Sequence, residues 1–266
     1  MKLIDRLFGD DRLISGARRA RREPPVTVVA HTVLGAPDDG GSALSSAFPL
    51  KIDQLARVRP SPQLLSAHDP SHPHSERIGL LRTEVLLRYT GQEDCLAIAV
   101  VGAVAQEGRS QVAAELALSF GQLGRSTLLL DADMRNPRQH LLFGIELREG
   151  LTQAIVNGEP PPLFSVDGYP SLSLMLAGGT PSNPIELLSD GRFDTLMRDL
   201  QKSFDFIIVD TPRCCDFADG LVIAAVVRHV LTVHRAKRTP YKEAKAMLRQ
   251  LHSARAEIVG GVLNHF

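Results

Sequence analysis

A doubly wound α/β fold with a mainly parallel sheet is what this sequence predicts, on three observations. Apolar runs of strand length recur along the chain: "LAIAVVGA", "STLLLDAD", "LSLMLAG", "FDFIIVDTP", "HVLTVHR" and "EIVGGVLN". They are nearly continuous rather than alternating, the pattern of strands covered on both faces. Amphipathic helical segments separate several of them, which is how parallel strands are joined by crossovers.

The elements follow in order. Residues 1–23 read as a short basic amphipathic segment, with Leu3, Leu7 and Phe8 near one helical face and Arg18, Arg19, Arg21 and Arg22 clustered behind it. A solvated tail is the plainer reading; a membrane surface or a partner is the sharper one. Residues 24–74, rich in Pro, Ser, Gly, Asp and His with no sustained apolar period, read as a flexible linker. At "SERIGLLRTEVLLRY" helical spacing begins, with Ser75 placed to cap it. The folded domain is therefore expected over residues 75–266, with further helices over 109–123 and 240–253.

Composition bounds the function. Hydrophobic residues make up 44% and charged residues 23% of 266, as in soluble globular domains. Lys plus Arg and Asp plus Glu both number 30, so no bulk charge attracts nucleic acid, and no nucleic-acid partner is expected. Cys95, Cys214 and Cys215 are too few for a disulfide framework, which favours a reducing cytoplasm. "LAIAVVGAVA" and "LVIAAVV" fall well short of the roughly 20 residues that cross a bilayer.

In a sheet of this kind ligands bind beyond the carboxyl ends of the strands. After the first strand stands Gly102-Ala-Val-Ala-Gln-Glu-Gly108-Arg109-Ser110, matched to G-x-x-x-x-G-K-[ST] with arginine for lysine. Such a loop needs glycines for close backbone approach, a helix N-terminus that favours anions, a cation for phosphates and a hydroxyl for Mg²⁺. Asp131 and Asp133 end the next strand, spaced so that both carboxylates can face one pocket, and Asp210 ends "FIIVD". A carboxylate at a strand tip is placed to hold Mg²⁺ through water. Singly, each such Asp is as readily a turn or cap residue.

Together, "GAVAQEGRSQVAAELALSFGQLG", "TLLLDADMRNP" and "FDFIIVDTP" resemble the Walker A, Walker A′ and Walker B segments of the bacterial tyrosine autokinases of capsule and exopolysaccharide synthesis, within the phosphate-loop ATPases. "ERIGLLRTEVLLR" resembles that family's E-x-x-R-x-x-R ring-forming helix, and "LAGGTPSNPIELLSDGRFDTLM" its G-x-x-P-x-N-P-x-E-L-L segment. Partition or positioning ATPases, a third and less favoured reading, usually lack both. The resemblance covers about residues 75–266. It implies ATP and Mg²⁺ as cofactors, bound by Gly102, Gln106, Glu107, Gly108, Arg109, Ser110 and Gln111. It implies Ser110, Asp131 and Asp210 at the metal, and Arg109, Asp131 and Asp133 in transfer of the γ-phosphate to tyrosine. It implies as partner a membrane polysaccharide co-polymerase, hence a place at the inner face of the membrane, and self-association through Glu76 and Arg82.

The departures from that family are specific. Gln106 stands where glycine is usual; if φ is positive there, the side chain costs about 1–2 kcal/mol. Arg109 replaces the lysine, and a planar guanidinium does not act as a point charge in a tight loop. Gln111 replaces a frequent threonine, Arg213 a common second proline, and Gly79 the first arginine of the ring-forming helix. Instead of a terminal tyrosine cluster the chain carries only Tyr89, Tyr169 and Tyr241. Two readings stay open: a kinase with impaired catalysis, and an inactive nucleotide-sensing scaffold. Of lesser candidates, His68, His72 and His74 offer imidazoles to a metal. Cys214 and Cys215 offer thiols near Asp210, though burial is their plainer reading. Lys237 and Arg238 offer cations after "LTVHR", against a default of solvated loop.

Overall fold

The computed structural model describes residues 27–29, 55–89, 94–158 and 162–265. The basic segment at residues 1–23 lies outside them. Among the described residues a nine-stranded sheet forms from β1 (Thr27–Val29), β2 (Leu55–Val58), β3 (Leu96–Gly102), β4 (Thr127–Asp131), β5 (Phe164–Val166), β6 (Tyr169–Met175), β7 (Phe206–Asp210), β8 (His229–Arg235) and β9 (Glu257–Asn264). Their order across the sheet is β1-β9-β8-β3-β7-β4-β6-β5-β2. From β9 through β6 every pairing is parallel. Antiparallel pairing is confined to β1 on β9 and β5 on β6.

The continuous apolar runs are explained by two cores. In β3, Leu96, Ile98 and Val100 face one core, while Ala97, Ala99 and Val101 face the other. The first core is closed by Leu81 and Val85 of α2 (Pro73–Arg88) and by α3 (Arg109–Gly121), which is buried at every position from Val112 to its end. There the rings of Phe120 and Phe206 pack with centroids 4.5 Å apart. The second core is closed by Phe193 and Leu200 of α7 (Arg192–Gln201), Ile223 of α8 (Asp219–Val227) and Met247 of α9 (Tyr241–Ser253). "LVIAAVV" is thus most of α8. Among the described residues no helix is long and apolar enough to cross a membrane.

Two expectations change. Folded structure begins well before residue 75: β2 pairs in parallel with β5, and Val58 and Leu64 are completely buried. The short helix α1 (Leu65–His68) follows, and Ser66 N–H donates to the buried carboxylate of Glu115 on α3 (2.9 Å). A four-residue edge strand flanked by prolines carries no period that sequence reasoning can detect; contact with α3 and β5 orders it. The helix α2 starts at Pro73, not Ser75. His72 is its cap, accepting from His74 N–H through Nδ1 (3.1 Å), and proline at the first helical position needs no N–H partner.

If residues 55–74 belong to the fold, Leu64→Ala is expected to destabilise the protein by about 2–5 kcal/mol, the cost of a large-to-small change at a closed core site. Urea unfolding checks it, and a change below about 0.5 kcal/mol would return this stretch to the status of a linker.

Candidate functional site

The ends of β3, β4 and β7 open on a cavity of about 630 Å³ lined by the loop residues 105–111, by Asp133, Arg135 and Arg138, and by Pro212, Arg213 and Phe217. Its floor is the N-terminus of α3, which Gly108 enters with φ +92°. Gly102 is required by crowding: a Cβ there would lie 2.4 Å from Glu107 Oε2 and 2.9 Å from Arg109 Cδ. Gln106 adopts φ +61°, so the position does demand the left-handed backbone that favours glycine, at about 1–2 kcal/mol for a side chain. One count is corrected. Five residues separate Gly102 from Gly108, one more than G-x-x-x-x-G allows, so the motif match rests on Gly108-Arg109-Ser110.

The extra length is taken up by Glu107, which turns its carboxylate inward. Oε2 accepts from Val104 N–H (2.9 Å), Oε1 accepts from the Thr239 hydroxyl (2.6 Å), and the backbone carbonyl accepts from Asn264 Nδ2 (2.7 Å). Burial raises its pKa, and the donors Thr239 and Val104 together with Arg109 oppose the rise. Arg109 is drawn into the same network. Its Nη1 donates to Val104 O (2.7 Å) and pairs with Glu107 Oε2 (3.5 Å), while Nε donates to Thr211 O after β7 (3.2 Å). The guanidinium thus ties the loop to the end of β7.

Behind the cavity stand the carboxylates. Asp131 and Asp210 are direct neighbours across the β4–β7 pairing, and both are fully buried. The expectation that Asp131 and Asp133 both face the pocket is half corrected. Asp133 lines the cavity and accepts from Asn136 N–H (2.9 Å). Asp131 instead points into the protein: Oδ2 accepts from the N–H groups of Arg138 (3.1 Å) and Gln139 (3.0 Å), and Oδ1 from Asp133 N–H (3.1 Å). The chain folds back through α4 (Gln139–Leu142), whose first N–H groups are otherwise unpaired, and the carboxylate satisfies them. Burial, then the charge of Asp210, holds the Asp131 carboxyl well above the usual range. Burial, then the charge of Asp133, pushes Asp210 to about 6, opposed by contacts from the Gln139 amide and the Ser110 hydroxyl.

Other candidates fall elsewhere. Gln111 donates through Nε2 to Gln63 O (3.2 Å), joining the loop to the segment before α1. Arg82 folds onto its own subunit, donating to Ser119 O (2.5 Å), whereas Glu76 is exposed. The imidazoles diverge: His68 Nε2 meets the carbonyls of Pro60 and Ser61, His72 caps α2, and His74 Nε2 lies 3.5 Å from Glu115. Burial pushes the Cys214 and Cys215 thiols to about 12 and about 11, so neither is a ready thiolate. Lys237 and Arg238 are exposed and off the cavity wall.

No family model matches the chain. Individual relatives do. It is 28% identical over 212 residues to CapB of Staphylococcus aureus, covering 79% of this chain and 92% of CapB. To the tyrosine-protein kinase ptk of Acinetobacter johnsonii it is 29% identical over 71% of this chain but spans only 26% of that protein. The solved kinase domain of the Escherichia coli tyrosine kinase ETK matches with TM-score 0.71 at 26% identity, covering 80% of this chain and 83% of that one. The kinase domain of VpsO matches at 30% identity with TM-score 0.63, covering 71% of this chain and 93% of that domain. The chain belongs to the bacterial tyrosine-kinase family.

Within this family member, sequence reasoning missed the residues that hold the site together. Thr239 and Asn264 anchor Glu107 from the ends of β8 and β9, and Gln139 bridges Ser110 O (3.0 Å) and Asp210 Oδ2 (2.8 Å) through Nε2. At the mouth, Phe217 lies between Arg135 (4.2 Å from guanidinium carbon to ring centroid) and Arg213 (5.2 Å), with Arg135 also paired to both oxygens of Asp219 (3.1 Å each). The signal available was position: Arg135, Phe217 and Thr239 come shortly after β4, β7 and β8, and Asn264 is the last residue of β9, the strand ends beyond which ligands bind.

The raised carboxyls set a pH dependence. Between about 4 and about 6 the folded protein keeps a proton on Asp210 that the unfolded chain has released, so Asp210 destabilises the fold above pH 6 and ceases to do so as pH falls through that window. His234, buried and lowered to about 4, acts in the opposite sense, so a difference between variants isolates the effect. Asp210→Asn is expected to be the more stable protein at pH 7.5 without divalent cations. The advantage should shrink by up to about 1.4 kcal/mol per pH unit on acidification. Urea melts at several pH values would refute this if the difference stayed constant.

Proposed function

We propose that this chain is a Mg-ATP-binding homologue of the tyrosine kinases with attenuated phosphoryl transfer, which regulates capsule or exopolysaccharide synthesis or export together with a membrane polysaccharide co-polymerase, at the inner face of the membrane. The observation that carries the attenuation is the placement of Arg109. Its guanidinium is committed to Val104 O, Thr211 O and Glu107. A lysine ammonium in the same place is a compact, mobile point charge that a phosphate can claim; a guanidinium held by three acceptors is not.

The remaining parts fit a nucleotide. The N–H groups at the start of α3, with the helix dipole, favour the phosphates. The metal fit rests on buried, desolvated carboxylates: Asp210 Oδ1 meets no donor at hydrogen-bonding geometry among the described residues, and the Ser110 hydroxyl approaches the same carboxylate. Among the described residues no three His, Cys, Asp or Glu side chains converge as a metal cage, so a Mg²⁺ ion here would need further ligands from nucleotide oxygens and water. Ser110 and Asp210 would hold it, with Asp131 contributing charge from behind. Mg-ATP supplies the transferred phosphoryl group when bound. Asp133, on the cavity wall, is the carboxylate placed to take the proton of an incoming tyrosine hydroxyl, and burial raises its pKa towards that task.

Calorimetric titration with Mg-ADP and a non-hydrolysable ATP analogue tests this reading. Weak binding by the native protein, tightened about 10-fold or more in Arg109→Lys, is expected from removing a competing set of acceptors. Ser110→Ala should bind equally in Mg²⁺ and in EDTA. Binding by the lysine variant alone would favour the scaffold reading; equal tight binding by both proteins would discard the attenuation.

A further inference from the structure

Gln139 is a buried polar side chain that neither the motifs nor the proposed chemistry uses. It is wholly inaccessible, and it touches all three segments of the site. Its backbone N–H donates to Asp131 Oδ2 (3.0 Å). Its side-chain Nε2 donates both to Ser110 O, in the first turn of α3 (3.0 Å), and to Asp210 Oδ2 (2.8 Å). Both amide hydrogens are therefore placed. Its Oε1 is buried and meets no donor among the described residues, and the same is true of Asp210 Oδ1. Two orphaned acceptor oxygens on a directly bonded pair of buried side chains are costly, about 1–3 kcal/mol for each neutral group, unless something donates to them.

The chemistry of what would donate is narrow. Among the described residues no protein group donates to Gln139 Oε1, and beyond Gln139 itself only the Ser110 hydroxyl approaches the Asp210 carboxylate; an anion would add to the negative charge of Asp131, Asp133 and Asp210. A hydrated divalent cation satisfies both needs: the ion is attracted by the carboxylates, and its polarised waters donate strongly to neutral and charged oxygens alike. We propose that Gln139 is a positioning residue of the divalent-cation site: its amide nitrogen fixes Asp210 against α3, and its Oε1 accepts from a water carried by the cation. This rests on the nucleotide reading above and adds to it a residue outside the three Walker segments. Outer ligands of this kind orient the inner ones and commonly change metal affinity about 10–100-fold.

The test separates the metal from the nucleotide. Mn²⁺ serves as the probe, followed by electron paramagnetic resonance with and without ADP, and ADP affinity is measured by calorimetry in EDTA. Gln139→Met keeps the volume and removes both ends of the amide. It is expected to weaken Mn²⁺ binding in the presence of ADP about 10-fold or more, while ADP affinity in EDTA stays within about 3-fold. A merely structural role would move both affinities together or neither, and either result overturns the proposal. Where circular dichroism shows that the Met variant does not fold, Gln139→Asn, which keeps the amide but shortens its reach, is held to the same two readings. If the native protein binds neither ADP nor Mn²⁺, the nucleotide reading itself falls and takes this one with it. If it binds Mn-ADP and Gln139→Met binds it equally, this inference alone falls.

Discussion

The rest of the site is arranged around the desolvation of two carboxylates set side by side. Asp131 and Asp210 end adjacent parallel strands in register, and the helices covering the sheet leave neither in contact with solvent. Buried charge is tolerated only when it is hydrogen-bonded or neutralised. The segment after β4 therefore turns back so that the N–H groups of Asp133, Arg138 and Gln139 reach Asp131, and the Gln139 side chain is brought onto Asp210. The position of α4, and with it the wall of the cavity, follows from that requirement.

The loop after β3 is governed by a second buried acid. Glu107 gathers donors from Val104, Thr239 and Asn264, and so draws the ends of β8 and β9 to the same point. Arg235 adds a contact to Gln106 O (3.3 Å). Arg109 completes the arrangement by joining the loop to Thr211. The arginine in the place of the lysine is thus integrated into the loop's own hydrogen bonding, which is why its replacement is a question about loop architecture as well as about charge.

Much of the fold was legible because its strands are buried on both faces. Six apolar runs gave six strands, and "EIVGGVLN" is β9 residue for residue. The strands that went unread, β1, β2 and β5, are the short ones, three or four residues long at or beside the edges of the sheet, where neither run length nor alternation separates a strand from a loop. The motif residues were legible, and the structure brings them together beyond the carboxyl ends of β3, β4 and β7. The site was not legible in Thr239, Asn264 and Gln139, since a polar residue at or beyond a strand end has no local mark that distinguishes an anchor from a solvated position.

The sequence by itself determined the α/β class, the loop at Gly102–Ser110, the acids at the strand tips and the likeness to the tyrosine kinases. These are properties of spacing and residue type within short windows, and short windows suffice to express them. Only the tertiary structure decided that residues 55–74 are folded, that Asp131 faces inward while Asp133 faces the cavity, and where the Arg109 guanidinium goes. Each of these depends on which distant groups become neighbours once water is excluded. Leu64 is buried in the core that α3 closes, and the Arg109 guanidinium is tied to the end of β7 because Thr211, 102 residues further along the chain, presents a carbonyl there.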